Sequence, residues 1–231
     1  DDQWGGSLEN RARMLIEVVK AIRERVGPGF AVAVKLNSAD FQRGGFDVGD
    51  AREVIRMLGR YTVDFVELSG GSIESMATSG DTADGRTLAR EAYFLEFARD
   101  LIDQATIPIM VTGGIRRRSV AQTVLDGGAA LVGVATAFGM SPNTAIGWLA
   151  GREGDVAYPV VRIRNKALAS AARQAVLHQQ FRCPEAEPGH SMIPTLALLL
   201  ELLRRNRARQ RYHAWLSKQA PVAARRDSPA S

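Results

Sequence analysis

The sequence predicts an α/β fold of about four βα units, arranged as half of a (β/α)8 TIM barrel and followed by C-terminal helices. Three observations predict it. Short apolar runs alternate with stretches of helical periodicity from residue 8 to residue 150. The runs are apolar on both parities, as parallel strands covered by helices are. Small and polar residues gather at the carboxyl ends of the runs: Lys35-Asn37-Ser38, Ser69-Gly70-Gly71, Thr112-Gly113-Gly114 and Ala135-Thr136. An open doubly wound sheet shares the first two features. No G-x-G-x-x-G follows the first strand, however, and glycine-rich turns after the last two strands match the usual phosphate position of a barrel.

The elements follow in order. "SLENRARMLIEVVKAIRERVGPG" places Leu8, Ala12, Leu15, Val19, Ile22 and Val26 on one helical face, with Ser7 as N-cap and Gly27-Pro28 as stop. The strand "FAVAVKL" comes next, then the helix "VGDAREVIRMLGRY", capped by Asp47 or Asp50, and the strand "VDFVELSGG" (63–71). Residues 90–105 read as helix, 107–114 as strand, 118–128 as helix and 130–137 as strand. Pro142 and Trp148 fall in a further short helix. After residue 152 the alternation stops. Residues 160–181 and 193–219 read as two helices joined by a Pro/Gly/Glu-rich link, and 220–231 have a disordered composition. The expected division is a partial barrel over 1–151, a helical extension over 152–219 and a tail over 220–231.

Composition narrows the function classes. With 45% hydrophobic and 24% charged residues, the 231-residue chain can bury a sizeable core, and it holds no apolar run long enough to span a bilayer. The single cysteine, Cys183, excludes an internal disulfide framework, and a reducing cytoplasm fits best. The chain starts at Asp1 without an initiator Met, so it is expected to begin inside a longer protein. From Arg152 onward 14 Lys+Arg stand against 6 Asp+Glu, whereas the preceding residues are net acidic. The basic stretch 204–213 follows Leu198, Leu202 and Leu203 in helical register, so it reads as the solvated face of a helix. No nucleic-acid-binding motif accompanies it. Neither nucleic acid nor membrane is expected as a partner; a small-molecule substrate is. A homo-oligomer is compatible with the fold, because two half-barrels could close one eight-stranded barrel.

Two features carry chemistry. Gly113-Gly114 lie where a strand turns into a helix, a place where backbone N–H groups approach an anion closely, and Arg116 adds positive charge to the turn. The neighbouring strand end with Ala135 and Thr136 widens this into a floor for a phosphate. Lys35 shares a strand face with Ala31, Ala33 and Asn37. It is open to three readings: a snorkelling lysine, a Schiff-base nucleophile, or a fixed cation beside an electron-rich ring such as a reduced flavin. His178, His190 and His213 lie beyond the strand ends, and no metal-ligand spacing, Ser/His/Asp order or Walker loop appears.

Several of these segments together resemble one family. "DDQWGGSLENRARMLIEVVKAIRERVG" is similar to the D-x-Y-G-G-S-x-E-N-R-x-R-F segment of the old yellow enzyme, or NADH:flavin oxidoreductase/NADH oxidase, family, with Trp4 in place of the usual Tyr. "VAVKLNSADFQRGGF", "VDFVELSGG", "REAYFLEFA" and "IPIMVTGGIR" continue the resemblance in order and spacing. It covers residues 1–150 well and the C-terminal helices loosely. The resemblance implies the C-terminal half of an FMN-binding TIM barrel, with hydride passing from NAD(P)H through FMN to an acceptor such as an activated alkene. It further implies that the substrate-binding His pair or His/Asn and the Tyr proton donor belong to strands before this chain, which by itself would be inactive. Carried over by position, Lys35 matches the basic residue against flavin N1 and O2, Gly113 and Gly114 match the backbone phosphate-binding pair, and Arg116 lies in that turn. Ala135 and Thr136 stand where the family has a Gly-Arg pair. The alternatives are a different phosphate-binding barrel enzyme with Lys35 as Schiff-base lysine, and an inactive barrel half.

Overall fold

A computed structural model of the chain describes residues 2–40, 44–69, 98–153, 156, 161–182 and 193–218. The chain divides into two compact units, Asp1–Val156 and Ala157–Ser231.

The first unit begins with α1 (Leu8–Arg25), where the Ser7 hydroxyl accepts from the Asn10 N–H at 3.3 Å and occupies one of the free donors of the first turn. Strand β1 (Ala33–Asn37) leads to α2 (Val48–Leu58), capped by Asp47 rather than Asp50, its carboxylate accepting from Asp50 N–H at 2.9 Å. Strand β2 (Phe65–Ser69) is followed, after residues outside the described set, by α3, described over residues 98–102. Strand β3 (Ile109–Thr112), α4 (Arg118–Asp126), β4 (Leu131–Gly133), α5 (Thr136–Met140) and α6 (Thr144–Leu149) complete the unit. Trp148 lies in α6 as expected, but Pro142 sits between α5 and α6. The greater part of the helix expected over 90–105, and Gly70 and Gly71, lie outside the described residues.

The four strands are all parallel and lie in the order β1-β2-β3-β4. A doubly wound sheet reverses its winding and leaves a switch point in the strand order. None is present among these strands, so the observed order is that of consecutive barrel staves. Parity decides the rest. Val34, Val66, Leu68, Ile109 and Val111 form one buried cluster with Ala12, Ile16 and Val19 of α1, Val54, Ile55 and Leu58 of α2, and Ala121 and Val124 of α4. Phe65, Met110 and Leu131, on the other parity, do not belong to it. The apolar character of both parities therefore has two origins: one face carries the helices, and the other is the face a barrel turns inward.

The amino ends of β1 and β2 are tied beneath this core. Asp64 accepts from the Val32 N–H and from Arg23, both at 2.7 Å. Those two bonds, the backbone one foremost, hold the Asp64 carboxyl below its ordinary range. The tie stabilises the end of the sheet remote from the strand exits.

The second unit contains α7 (Lys166–Arg182) and α8 (Pro194–Lys218). Helix α7 starts six residues later than the sequence suggests, where Asn165 caps it by accepting from the Leu168 N–H at 3.1 Å. Ala197 and Glu201 of α8 are buried, and every α8 residue beyond Glu201 is exposed. Glu201 meets His178 Nδ1 and Arg182 Nη1 of α7 at 3.2 Å each, and Arg205 Nε at 3.4 Å. Gln219, the tail expected over 220–231, and Cys183 lie outside the described residues. Among the described residues no helix is long and apolar enough to cross a membrane.

Candidate functional site

Strand register arranges the inward-facing side chains in rows. Lys35 pairs with Glu67, Glu67 with Met110 and Met110 with Leu131, so these four residues cross the sheet in one row. One step toward the carboxyl ends, Asn37 pairs with Ser69 and Thr112 with Gly133. Lys35 therefore lies in the middle of its strand, one row beneath the exit, and not at the end as the sequence suggests. Strand β1 continues to Asn37 because its pairing with β2 persists to Ser69 and is extended by a Ser38 N–H to Ser69 carbonyl bond of 2.6 Å.

Glu67 is the residue the sequence reading missed. Its carboxylate accepts a hydrogen bond from the Lys35 ammonium across β1–β2. A signal was available: Glu67 is a lone acid between Val66 and Leu68 in an apolar run, two residues before the strand end, as Lys35 is in its own strand. Side-chain exposure is 56% for Lys35 and 22% for Glu67, so the pair is solvent-screened on the lysine side.

The exit row has unmet polar groups. Asn37 donates through Nδ2 to Asp40 at 2.6 Å, and Asp40 in turn accepts from the Phe46 N–H at 3.1 Å, which pins the loop after β1. Among the described residues, Asn37 Oδ1 and Thr112 Oγ1 are nevertheless buried without a hydrogen-bond partner. Buried polar atoms without partners are uncommon, and a polar ligand over this row would satisfy them.

Gly113 and Gly114 leave β3 with φ of 135° and 69°, the region that glycine occupies without a Cβ penalty. A Cβ at Gly114 would meet nothing within 4 Å, so the turn presents backbone to open space. Gly133, adjacent on β4, is tighter. A Cβ there would fall 1.8 Å from Thr112 Oγ1 and 2.8 Å from Met110 Cε. Ala135 is the N-cap residue of α5, and Thr136 is its first residue. Because β3 and β4 are hydrogen-bonded neighbours, the structure brings Gly113, Gly114, Ala135 and Thr136 to adjacent strand exits. Lys35 lies two strands away on the same inward parity.

Arg117 occupies the N-cap position of α4 and makes no capping bond with its side chain. Glu153 takes that part instead, accepting from the Ser119 N–H at 3.1 Å and the Ser119 hydroxyl at 2.9 Å. These bonds, the backbone one first, hold the Glu153 carboxyl below its ordinary range. The first turn of α4 thus already has an anion beside it, and an incoming phosphate would rely on the Gly113–Gly114 turn. Arg116 and Arg117 both have interactions of their own within the fold.

Residues 1–148 match the model of the NADH:flavin oxidoreductase / NADH oxidase family. The NADH-dependent flavin oxidoreductase nadA of Aspergillus parasiticus is 34% identical over 74% of this chain and 38% of its own length. The N,N-dimethylglycine/sarcosine dehydrogenase of Chromohalobacter salexigens is 30% identical over 62% of this chain and 21% of its own length. Among solved structures, a 2-naphthoyl-CoA reductase in complex with 2-naphthoyl-CoA superposes with a TM-score of 0.55 and 28% identity, over 66% of this chain and 23% of that one. The 6-hydroxypseudooxynicotine amine oxidase of Pseudomonas geniculata N1 shares the fold, with a TM-score of 0.50 and 23% identity over 65% of this chain. The chain spans well under half the length of these relatives. With the family model covering most of the barrel-like unit, the chain belongs to the NADH:flavin oxidoreductase / NADH oxidase family.

Proposed function

We propose that this chain forms the phosphate-binding and cation-bearing side of an FMN site. In that site hydride from NADH or NADPH would reach an acceptor such as an activated alkene. The observation that carries this reading is one of position. The Gly113–Gly114 turn and the Ala135–Thr136 exit lie at the carboxyl ends of adjacent strands, and the Lys35 row lies one step beneath the exits on the inward face of the same parallel sheet. The chain's residues fit such a ligand through Asn37 Oδ1 and Thr112 Oγ1, which have no partner among the described residues, and through the open backbone at Gly114. FMN, when bound, supplies the two-electron chemistry. Gly113 and Gly114 would give backbone N–H donors to its phosphate, Thr136 a single hydroxyl, and Lys35 a positive charge for the pyrimidine edge. His178 and His213 lie in α7 and α8, so no described strand exit carries a histidine. The expectation that this chain alone does not turn over NADH therefore belongs to the same proposal.

The test is titration of FMN with the purified 231-residue chain, followed by fluorescence quenching, with an NADH oxidation assay alongside. Quenching without turnover is expected. No quenching at millimolar protein would reject the site, and turnover would reject the assignment of the catalytic groups elsewhere. A borohydride-trapped adduct at Lys35 with a carbonyl substrate would instead favour the Schiff-base reading.

Two substitutions sharpen it. Lys35→Met should weaken binding of reduced FMN about tenfold relative to oxidised FMN, because the cation acts on charge that grows on reduction. The melting temperature should hardly move, since a half-exposed ion pair contributes little. An unchanged ratio would return Lys35 to a snorkelling role. Thr136→Arg should tighten FMN roughly tenfold by adding a guanidinium for the phosphate. Unchanged affinity would show that Arg116 or Arg117 already neutralises the phosphate.

A further inference from the structure

We infer that Glu67 acts through Lys35 as its counter-ion, so that the flavin responds to the net charge of the Lys35–Glu67 pair and not to the lysine alone. This rests on the flavin reading above. The two residues are direct register partners, and the ammonium donates to the carboxylate. Parity holds Glu67 in place: Val66 and Leu68 on either side are fully buried in the opposite face, so the strand cannot turn Glu67 away without exposing them. Glu67 is the more enclosed partner, and Lys35 reaches it from a half-exposed position. Next along the row are Met110 and Leu131, which carry no charge. Asp40, the carboxylate that faces the exit row from the loop after β1, is engaged by Asn37 and the Phe46 N–H.

An ion pair presents a dipole, whose field falls off faster than that of a lone cation. With Glu67 in place, a flavin on this face meets a neutral pair whose cation is held at a defined point. Removing either partner leaves a full unit of charge, of opposite sign in the two cases. Reduction adds negative charge to the pyrimidine edge, so the ratio of affinities for reduced and oxidised FMN reads that net charge directly.

The experiment is a four-member cycle in the 231-residue chain: wild type, Lys35→Met, Glu67→Gln and the double variant. Each is titrated with oxidised FMN and, anaerobically, with dithionite-reduced FMN. Glu67→Gln is expected to raise the preference for reduced FMN about tenfold, equivalent to about +30 mV for a two-electron couple. Lys35→Met should lower it by a similar factor. The double variant, neutral like the wild type, should return to within about threefold of it, and Glu67→Asp, which keeps the charge, should behave as wild type. A purely structural role for Glu67 would shift the melting temperature and leave the ratio alone. If Glu67→Gln leaves the ratio unchanged or lowers it, or the double variant matches Lys35→Met, the inference about Glu67 falls and the flavin site stands. If wild type binds neither form of FMN, the flavin reading fails and takes this inference with it.

Discussion

Gly133→Ala is expected to lower the stability of the first unit by about 1–3 kcal/mol, the usual cost of overpacking a tight interior contact. The new Cβ would fall 1.8 Å from Thr112 Oγ1 and 2.8 Å from Thr112 Cβ. Rotating the threonine relieves the first clash but not the second, because Cβ follows the backbone. Strand β4 would have to move away from β3, and the Thr112↔Gly133 pairing holds the two exits side by side. The measurement is the urea midpoint. Thr112→Gly in the same chain removes the opposing Cβ, so it should recover much of the loss and make the two changes strongly non-additive. An unchanged midpoint for Gly133→Ala would mean that the strands do not approach this closely. Because Ala135 and Thr136 lie only two and three residues after Gly133, the variant should weaken FMN as well.

The second large effect is expected in the helical unit. Burial alone would raise the pKa of Glu201, but hydrogen bonds from Arg182, His178 and Arg205 outweigh it, and the carboxyl lies below its ordinary value. The ionised form is therefore favoured by folding. Its contribution is present at any pH above the ordinary carboxylate range and is lost as pH falls through the lowered folded value. Glu201→Gln should cost about 1–3 kcal/mol at neutral pH, as expected for charge-assisted hydrogen bonds lost from a buried acceptor. Urea midpoints read by circular dichroism should differ between wild type and variant at pH 7 and converge in acid. A difference that persists at pH 2 would assign the loss to packing and not to charge. Arg182 and Arg205 are 44% and 64% exposed, so water can take them up when the carboxylate is gone, which keeps the cost moderate.

Much of this architecture is legible without coordinates. The periods of the apolar residues locate α1, α2, α4 and the strands β1–β3 to within a few residues, because a helix or strand must turn one face to the core at its own repeat. The strand expected over 130–137 instead ends at Gly133 and gives way to α5 at Thr136. Ser7 and Asp47 mark helix starts through local bonds to residues three positions on. The glycines after β3 announce a turn, and both have positive φ. Less legible are the start of α7, where Asn165 caps a helix preceded by Val161, Arg162, Ile163 and Arg164, and the place of Pro142. Both depend on where the chain stops packing.

What the sequence by itself determined is the kind and order of the elements, the one-faced helical layer and the family. All of these follow from local periodicity and from motifs read along the chain. Only the tertiary structure decided what meets across it. Lys35 faces Glu67 over a separation of 32 residues, Gly133 leaves room for Thr112, and Glu153 reaches back 34 residues to the start of α4. Strand register is the physical reason. It is set by the summed packing of Val34, Val66, Ile109 and their helical partners, and a slip of one residue would send Lys35 into the helical layer and Leu36 inward. No local signal in either strand carries that information, because each strand satisfies its own parity equally well in any even register.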